Sequence, residues 1–150
     1  MDFGNIVVAV DGSEASQGAL NHAVELARQR NTPLTGIFII DTQWADYIGN
    51  DWQSSKGARQ GFLDYIRNEQ EEQAGAARAQ FELATKGMEQ ASFSVHAGDP
   101  TTVLVDHASS GDTGMLIAGR RVFQVSGRPS LKSLATTLAK NASRPLLLFP

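Results

Sequence analysis

Asp11-Gly12-Ser13 is the first point along the chain where side chains with useful chemistry are grouped, directly after the apolar run Ile6-Val7-Val8-Ala9-Val10. Glycine permits a tight turn, and serine is a preferred helix N-cap. Two readings stand: a plain strand-to-helix turn, or a carboxylate placed to accept hydrogen bonds from a ribose or a base. A second grouping opens at Gly119 and ends at Ser133, with Arg120, Arg121, Arg128 and Lys132 between them. Glycine after a strand lets backbone approach an anion. The free N–H groups and dipole of a helix opened by serine then stabilise the charge. These are the parts of a phosphate cradle, with solvated surface arginines as the alternative.

Other chemistry has little to build on. His22, His96 and His107 are isolated from one another in the sequence and lack metal-ligand spacing, so they are read as structural histidines and no metal is expected. Without cysteine, thiol nucleophiles, zinc ribbons and disulfide frameworks are excluded. There is no Gly-x-Ser-x-Gly elbow, no Walker loop and no His-Glu helix pair. Glu69, Glu71 and Glu72 read as a solvated helix face. No catalytic residue is therefore nominated, and the expectation is a protein that is not an enzyme.

A net charge of −3 argues against a general phosphate-backbone binder, so no nucleic-acid partner is expected. The apolar runs fall far short of the ~20 residues needed to cross a bilayer. Met1-Asp2-Phe3-Gly4-Asn5 lacks the pattern of a secretory signal. The expectation is one domain over residues 1–150, cytoplasmic and without a membrane partner.

The elements that would position these residues alternate. Strands are predicted at Ile6–Val10, Ile37–Ile40, around Phe93 and Val95, at Met115–Ala118 and at Leu146–Phe149. Between them, Ala19, Leu20, Ala23, Val24 and Ala27 recur at helical spacing, and Leu63, Ile66, Ala74, Ala77, Phe81, Ala84 and Met88 trace a longer helix. A third helix opens after Asp99-Pro100, and Leu131, Leu134, Ala135, Leu138 and Ala142 define the last. The order leads to an α/β, doubly wound, mostly parallel sheet with helices on both faces. Two connections are long: residues 41–57, which hold Trp44, Tyr47 and Trp52, and residues 119–131. Both leave carboxyl ends of strands, where such sheets build their ligand sites. The tryptophan-bearing connection is open to reading as a lid, a partner surface or plain self-packing.

These residues carry a resemblance. Val8-Ala9-Val10-Asp11-Gly12-Ser13-Glu14, the Gly98-Asp99-Pro100 turn, Gly119 followed by a loop and a Ser133 helix, and the closing Ala142-Ser143-Arg144-Pro145-Leu146-Leu147 are similar to the universal stress protein family over essentially the whole chain. The resemblance implies a five-stranded parallel sheet of order 3-2-1-4-5, usually a homodimer, and in one branch an ATP site with little or no catalysis. That branch carries Gly, two residues, Gly, nine residues, then Gly-Ser or Gly-Thr. Here the first glycine falls on Gly119 and the hydroxyl on Ser133, but Val122 and Lys132 occupy the other glycine positions. The adenine-side carboxylate matches Asp11 and the base-contacting apolar residue matches Ile39.

A β-branched residue at the second glycine is strained if that position needs positive φ, by ~1–3 kcal/mol, or else blocks phosphate. Lys132 either meets a phosphate or occupies its space. The chain thus reads as a family member acting through dimerisation and unidentified protein partners without bound ATP. The alternative is an ATP- or AMP-binding switch that uses Asp11, Ile39, Gly119, Arg120, Lys132 and Ser133. In the implied order Leu146–Phe149 is an apolar edge strand, and pairing with a second copy would cover it.

Overall fold

A computed structural model describes residues 4–50, 56–124 and 127–150. Five strands, β1 (Asn5–Ala9), β2 (Leu34–Asp41), β3 (Ala91–Gly98), β4 (Thr113–Gly119) and β5 (Leu146–Phe149), form one sheet of order β3-β2-β1-β4-β5. Every neighbouring pair is parallel, in agreement with the sequence-based expectation. The central strands read as apolar runs because both faces are covered: Ile6, Val8, Leu34, Ile37, Leu116 and Ile117 have no accessible surface.

Helix α1 (Glu14–Arg30) buries the predicted stripe of Ala19, Leu20, Ala23, Val24 and Ala27. Ser13 caps its start by accepting the Ala15 N–H, and Asn31 closes its end in the left-handed conformation. Helix α3 (Lys56–Ala84) is the long second helix. It ends before Met88, the last residue of the predicted stripe. Its Phe81 lies against β2, where a Cβ on Gly36 would come within 2.5 Å of the ring. The missing side chain lets helix and sheet meet. Helix α4 (Pro100–His107) starts on Asp99 with proline in its first turn.

Two short elements were not anticipated. Helix α2 (Trp44–Ile48) lies within the connection after β2. Its last carbonyls are held by Arg59, which donates to Ala45 O at 3.2 Å and Gly49 O at 2.8 Å. A 3₁₀ turn, Pro129–Ser133, precedes α5 (Leu134–Asn141), so the last helix begins later than its apolar stripe implied. Trp52 lies outside the described residues. No described helix is long and apolar enough to cross a membrane.

Candidate functional site

The carboxyl ends of β1, β2, β3 and β4 lead into Asp11, Asp41, Asp99 and Gly119 respectively. The two long connections do share this edge, and they are tied together there. Arg128, from the connection after β4, donates through Nε to Asp41 Oδ2 at 2.6 Å and through a terminal nitrogen to Asp99 Oδ1 at 2.8 Å. The guanidinium and Asp41 are nearly excluded from water, at 10% and 5% side-chain exposure. One planar fork therefore clasps two carboxylates, one at the end of β2 and one in the turn after β3. Asp41 is fixed further, since its carboxylate accepts the Gln43 N–H at 2.9 Å. The buried Gln70 of α3 bonds both its main-chain N–H and C=O.

Asp11 is fully buried and its carboxylate is already provided with donors. Oδ1 accepts the Ser13 N–H at 2.9 Å and the Ser13 hydroxyl at 2.6 Å; Oδ2 accepts the Phe123 N–H at 3.0 Å. Burying a carboxylate is costly unless such bonds replace its hydration. The turn is laced from the helix side as well. Gln80 of α3 accepts from the Gly12 N–H and the Ser16 hydroxyl and donates to Ser13 O. Gly12 has φ 82°, and a Cβ there would meet Ala76 Cβ at 2.9 Å, so this position needs glycine.

Phe123 delivers more than its amide. Its backbone is left-handed, φ 67°, a conformation that L residues with bulky side chains rarely adopt. Its ring is 5% exposed and meets Phe38 edge-on at a centroid distance of 5.7 Å. Gly127 permits the loop to fold back, because a Cβ there would collide with the Phe123 carbonyl oxygen. The space bordered by Ile39, Asp41, Phe123, Gly127 and Leu131 is a cavity of about 10 Å³, room for about one water molecule.

The residues nominated from sequence are thus distributed unevenly. Asp11 and Ile39 lie buried at this corner, with Phe123 against both the carboxylate and the cavity. Gly119 has a packing role of its own: a Cβ would collide with the carbonyl oxygen of Ala15 in the first turn of α1. Arg120 is exposed, and its N–H donates to Phe149 O at 2.7 Å. Ser133 is exposed and caps α5 without a side-chain hydrogen bond. The Lys132 side chain lies outside the described residues. Val122 is buried in the core, and the positive φ considered for it is carried one residue later, by Phe123.

Phe123, Gln70, Gln80 and the Arg128 pairing with Asp41 and Asp99 were missed. An aromatic residue beside valine in an otherwise polar, arginine-rich loop is the signal that the loop tucks inward. The histidines need correcting too. His96 of β3 and His107 of α4, on consecutive elements, face each other with ring centroids 5.1 Å apart and so are not isolated from one another. Burial first, and the neighbouring His96 second, hold His107 below its usual value of 6.5, against the pull of Asp106. Among the described residues no group of three His, Cys, Asp or Glu is arranged to hold a metal ion.

Comparison with known proteins adds independent support for the architecture. The universal stress protein YxiE of Bacillus subtilis is 24% identical over 155 aligned positions, covering 97% of this chain and 98% of the relative. The structure of universal stress protein UspA from Lactobacillus plantarum superposes with a TM-score of 0.73 at 20% identity, covering 100% of this chain and 99% of that one. The universal stress protein from Archaeoglobus fulgidus in complex with dAMP gives 0.59 at 21% identity, with both chains covered in full. The family model for the universal stress protein family matches residues 2–150. This chain belongs to the universal stress protein family.

Proposed function

We propose that this protein is a universal stress protein module that works without a bound nucleotide, acting as a homodimer through protein partners. The observation that carries this reading is the filled corner. Where a ligand would present a donor to Asp11, the chain presents the Phe123 N–H at 3.0 Å. Where a base would lie against Ile39, about 10 Å³ is left. A nucleotide would have to expel the Phe123 ring, whose burial is worth about 1.5–3 kcal/mol. It would also have to break or bypass the Arg128 clasp and replace the Phe123 hydrogen bond to Asp11. Nor does the site suggest turnover, since the Ser13 hydroxyl is bound to a carboxylate already occupied by other donors.

A second reading keeps the site as an AMP- or ATP-responsive switch. It is favoured by the left-handed backbone of Phe123, which leaves the closed loop strained by about 1–3 kcal/mol. The dAMP bound by the Archaeoglobus fulgidus neighbour supports it as well.

Isothermal titration calorimetry with AMP and with ATP plus magnesium decides between them. The first reading expects no saturable heat with the wild type and measurable binding once the corner is opened in Phe123→Gly. Tight wild-type binding that is lost in Asp11→Ala would establish the switch instead.

A further inference from the structure

Strand β3 closes the sheet at the end opposite β5. It pairs with β2 in unbroken register, from Leu34 beside Ala91 to Asp41 beside Gly98. On that side the Leu34 N–H donates to Gln90 O and the Thr42 N–H to Gly98 O. The alternation along a strand therefore turns the main-chain groups of Ser92, Ser94 and His96 toward β2. Those of Ala91, Phe93, Val95 and Ala97 point away from it. Beyond the β2 ladder, nothing among the described residues bonds to these outward groups.

Natural sheets guard such an edge with lysine, proline or a bulge. This strand has no bulge against β2, and Ala91-Ser92-Phe93-Ser94-Val95-His96-Ala97-Gly98 holds no proline, Asp, Glu, Lys or Arg. Val95 is 40% exposed. The residue order is also nearly symmetric about Ser94. Laid antiparallel on itself with Ser94 opposite Ser94, the strand sets Phe93 against Val95, Ser92 against His96 and Ala91 against Ala97. An aromatic residue opposite a β-branched one is a favourable cross-strand pair, and so are facing hydroxyls. The outward N–H and C=O groups then meet one another. No charge meets a like charge within the ladder, since Arg78 is stacked over the Phe93 ring, 4.8 Å from its centroid, on the α3 side of the strand.

We propose that β3 pairs antiparallel with the β3 of a second copy, across a two-fold axis at Ser94. The helices leave room for it. Helix α3 lies over β2, where Phe81 packs on Gly36. Its two copies would run about 14 Å apart, three strand spacings, clear of the roughly 8–10 Å of packed helices. On the other face α4 ends with His107 beside His96, so its two copies fall on opposite sides of the axis. Phe93 and Val95 are the strand's only large apolar side chains. The contact is accordingly a weak one, formed well above micromolar concentration. It is independent of the proposed β5 contact, which lies at the other end of the sheet.

The chain has no cysteine, so single cysteines report the register. Ser94 would face its own copy in a non-hydrogen-bonded pair with Cα atoms about 4.5 Å apart, within disulfide range. Ser92 is the more exposed of the two, but its copies would stand about 13 Å apart along the pair. In the otherwise wild-type chain at about 1 mM, oxidation should yield covalent dimer at least about tenfold faster from Ser94→Cys than from Ser92→Cys. Adding Val95→Pro removes an outward N–H and spares the β2 ladder, and it should abolish that advantage. Without any cysteine, sedimentation of Leu148→Pro should report a monomer at about 10 µM and a dimer at about 1 mM. Cross-linking at Ser92 as fast as at Ser94, an advantage that survives Val95→Pro, or a Leu148→Pro monomer at the higher concentration would each overturn the proposal.

Discussion

Phe123 is the residue on which the functional reading turns. Its amide and its ring together close the Asp11 corner, and it does so from a backbone conformation that suits glycine. This combination makes a specific stability prediction. Phe123→Ala loses the ring and keeps the left-handed strain; Phe123→Gly loses slightly more side chain but relieves that strain. By chemical denaturation Phe123→Gly should be the more stable of the two by about 1 kcal/mol, the reverse of the order at an ordinary helical or strand position. Little of this was visible in the sequence. Asp11 was legible because it follows an apolar run and precedes a capping serine. Its partner is 112 positions away, a contact that only the folded loop creates. Arg128 was legible as a cation facing an anion, but the anions proved to be Asp41 and Asp99 of the chain itself.

Among the elements, the five strands and the long helices were legible because apolar runs and helical stripes are the sequence record of burial. Helix α2 and the 3₁₀ turn were not, since five residues make little more than one turn and so cannot show a repeat. The packing of β3 against α4 shows the same limit, for the turn between these consecutive elements brings His96 and His107 face to face although their spacing matches neither a strand nor a helix. It also carries a pH dependence. Because folding lowers the affinity of His107 for its proton, the unfolded chain takes that proton up first as pH falls below about 6.5. This contribution to stability is therefore complete above that pH. It is lost progressively below it, until the folded ring is protonated as well. Melting temperatures measured between pH 7.5 and 5 should fall less steeply in His107→Gln than in the wild type; parallel curves would remove His107 from the account.

For the molecule as a whole, the open question is the edge. Strand β5 lies at the end of the sheet, and Leu146 to Phe149 remain partly exposed. Such an apolar edge invites pairing, and this is the proposed dimer contact. Pro145 O accepts from Leu116 of β4 and Phe149 O from Arg120, the residue that follows β4, so the alternation along a strand turns the backbone groups of Leu146 and Leu148 outward. Leu148→Pro should remove an outward N–H and spare the ladder to β4. Light scattering should then report a dimer for the wild type and half that mass for the variant. A monomeric wild type at micromolar concentration would count against this contact.

The crystal structure of the protein grown with millimolar AMP would examine the corner itself. The account predicts unchanged packing: the Phe123 ring edge-on to Phe38, its amide on Asp11, Arg128 between Asp41 and Asp99, and no adenine density beside Ile39. An adenine seated there, with Phe123 turned out and its hydrogen bond to Asp11 replaced by the ligand's, would contradict it.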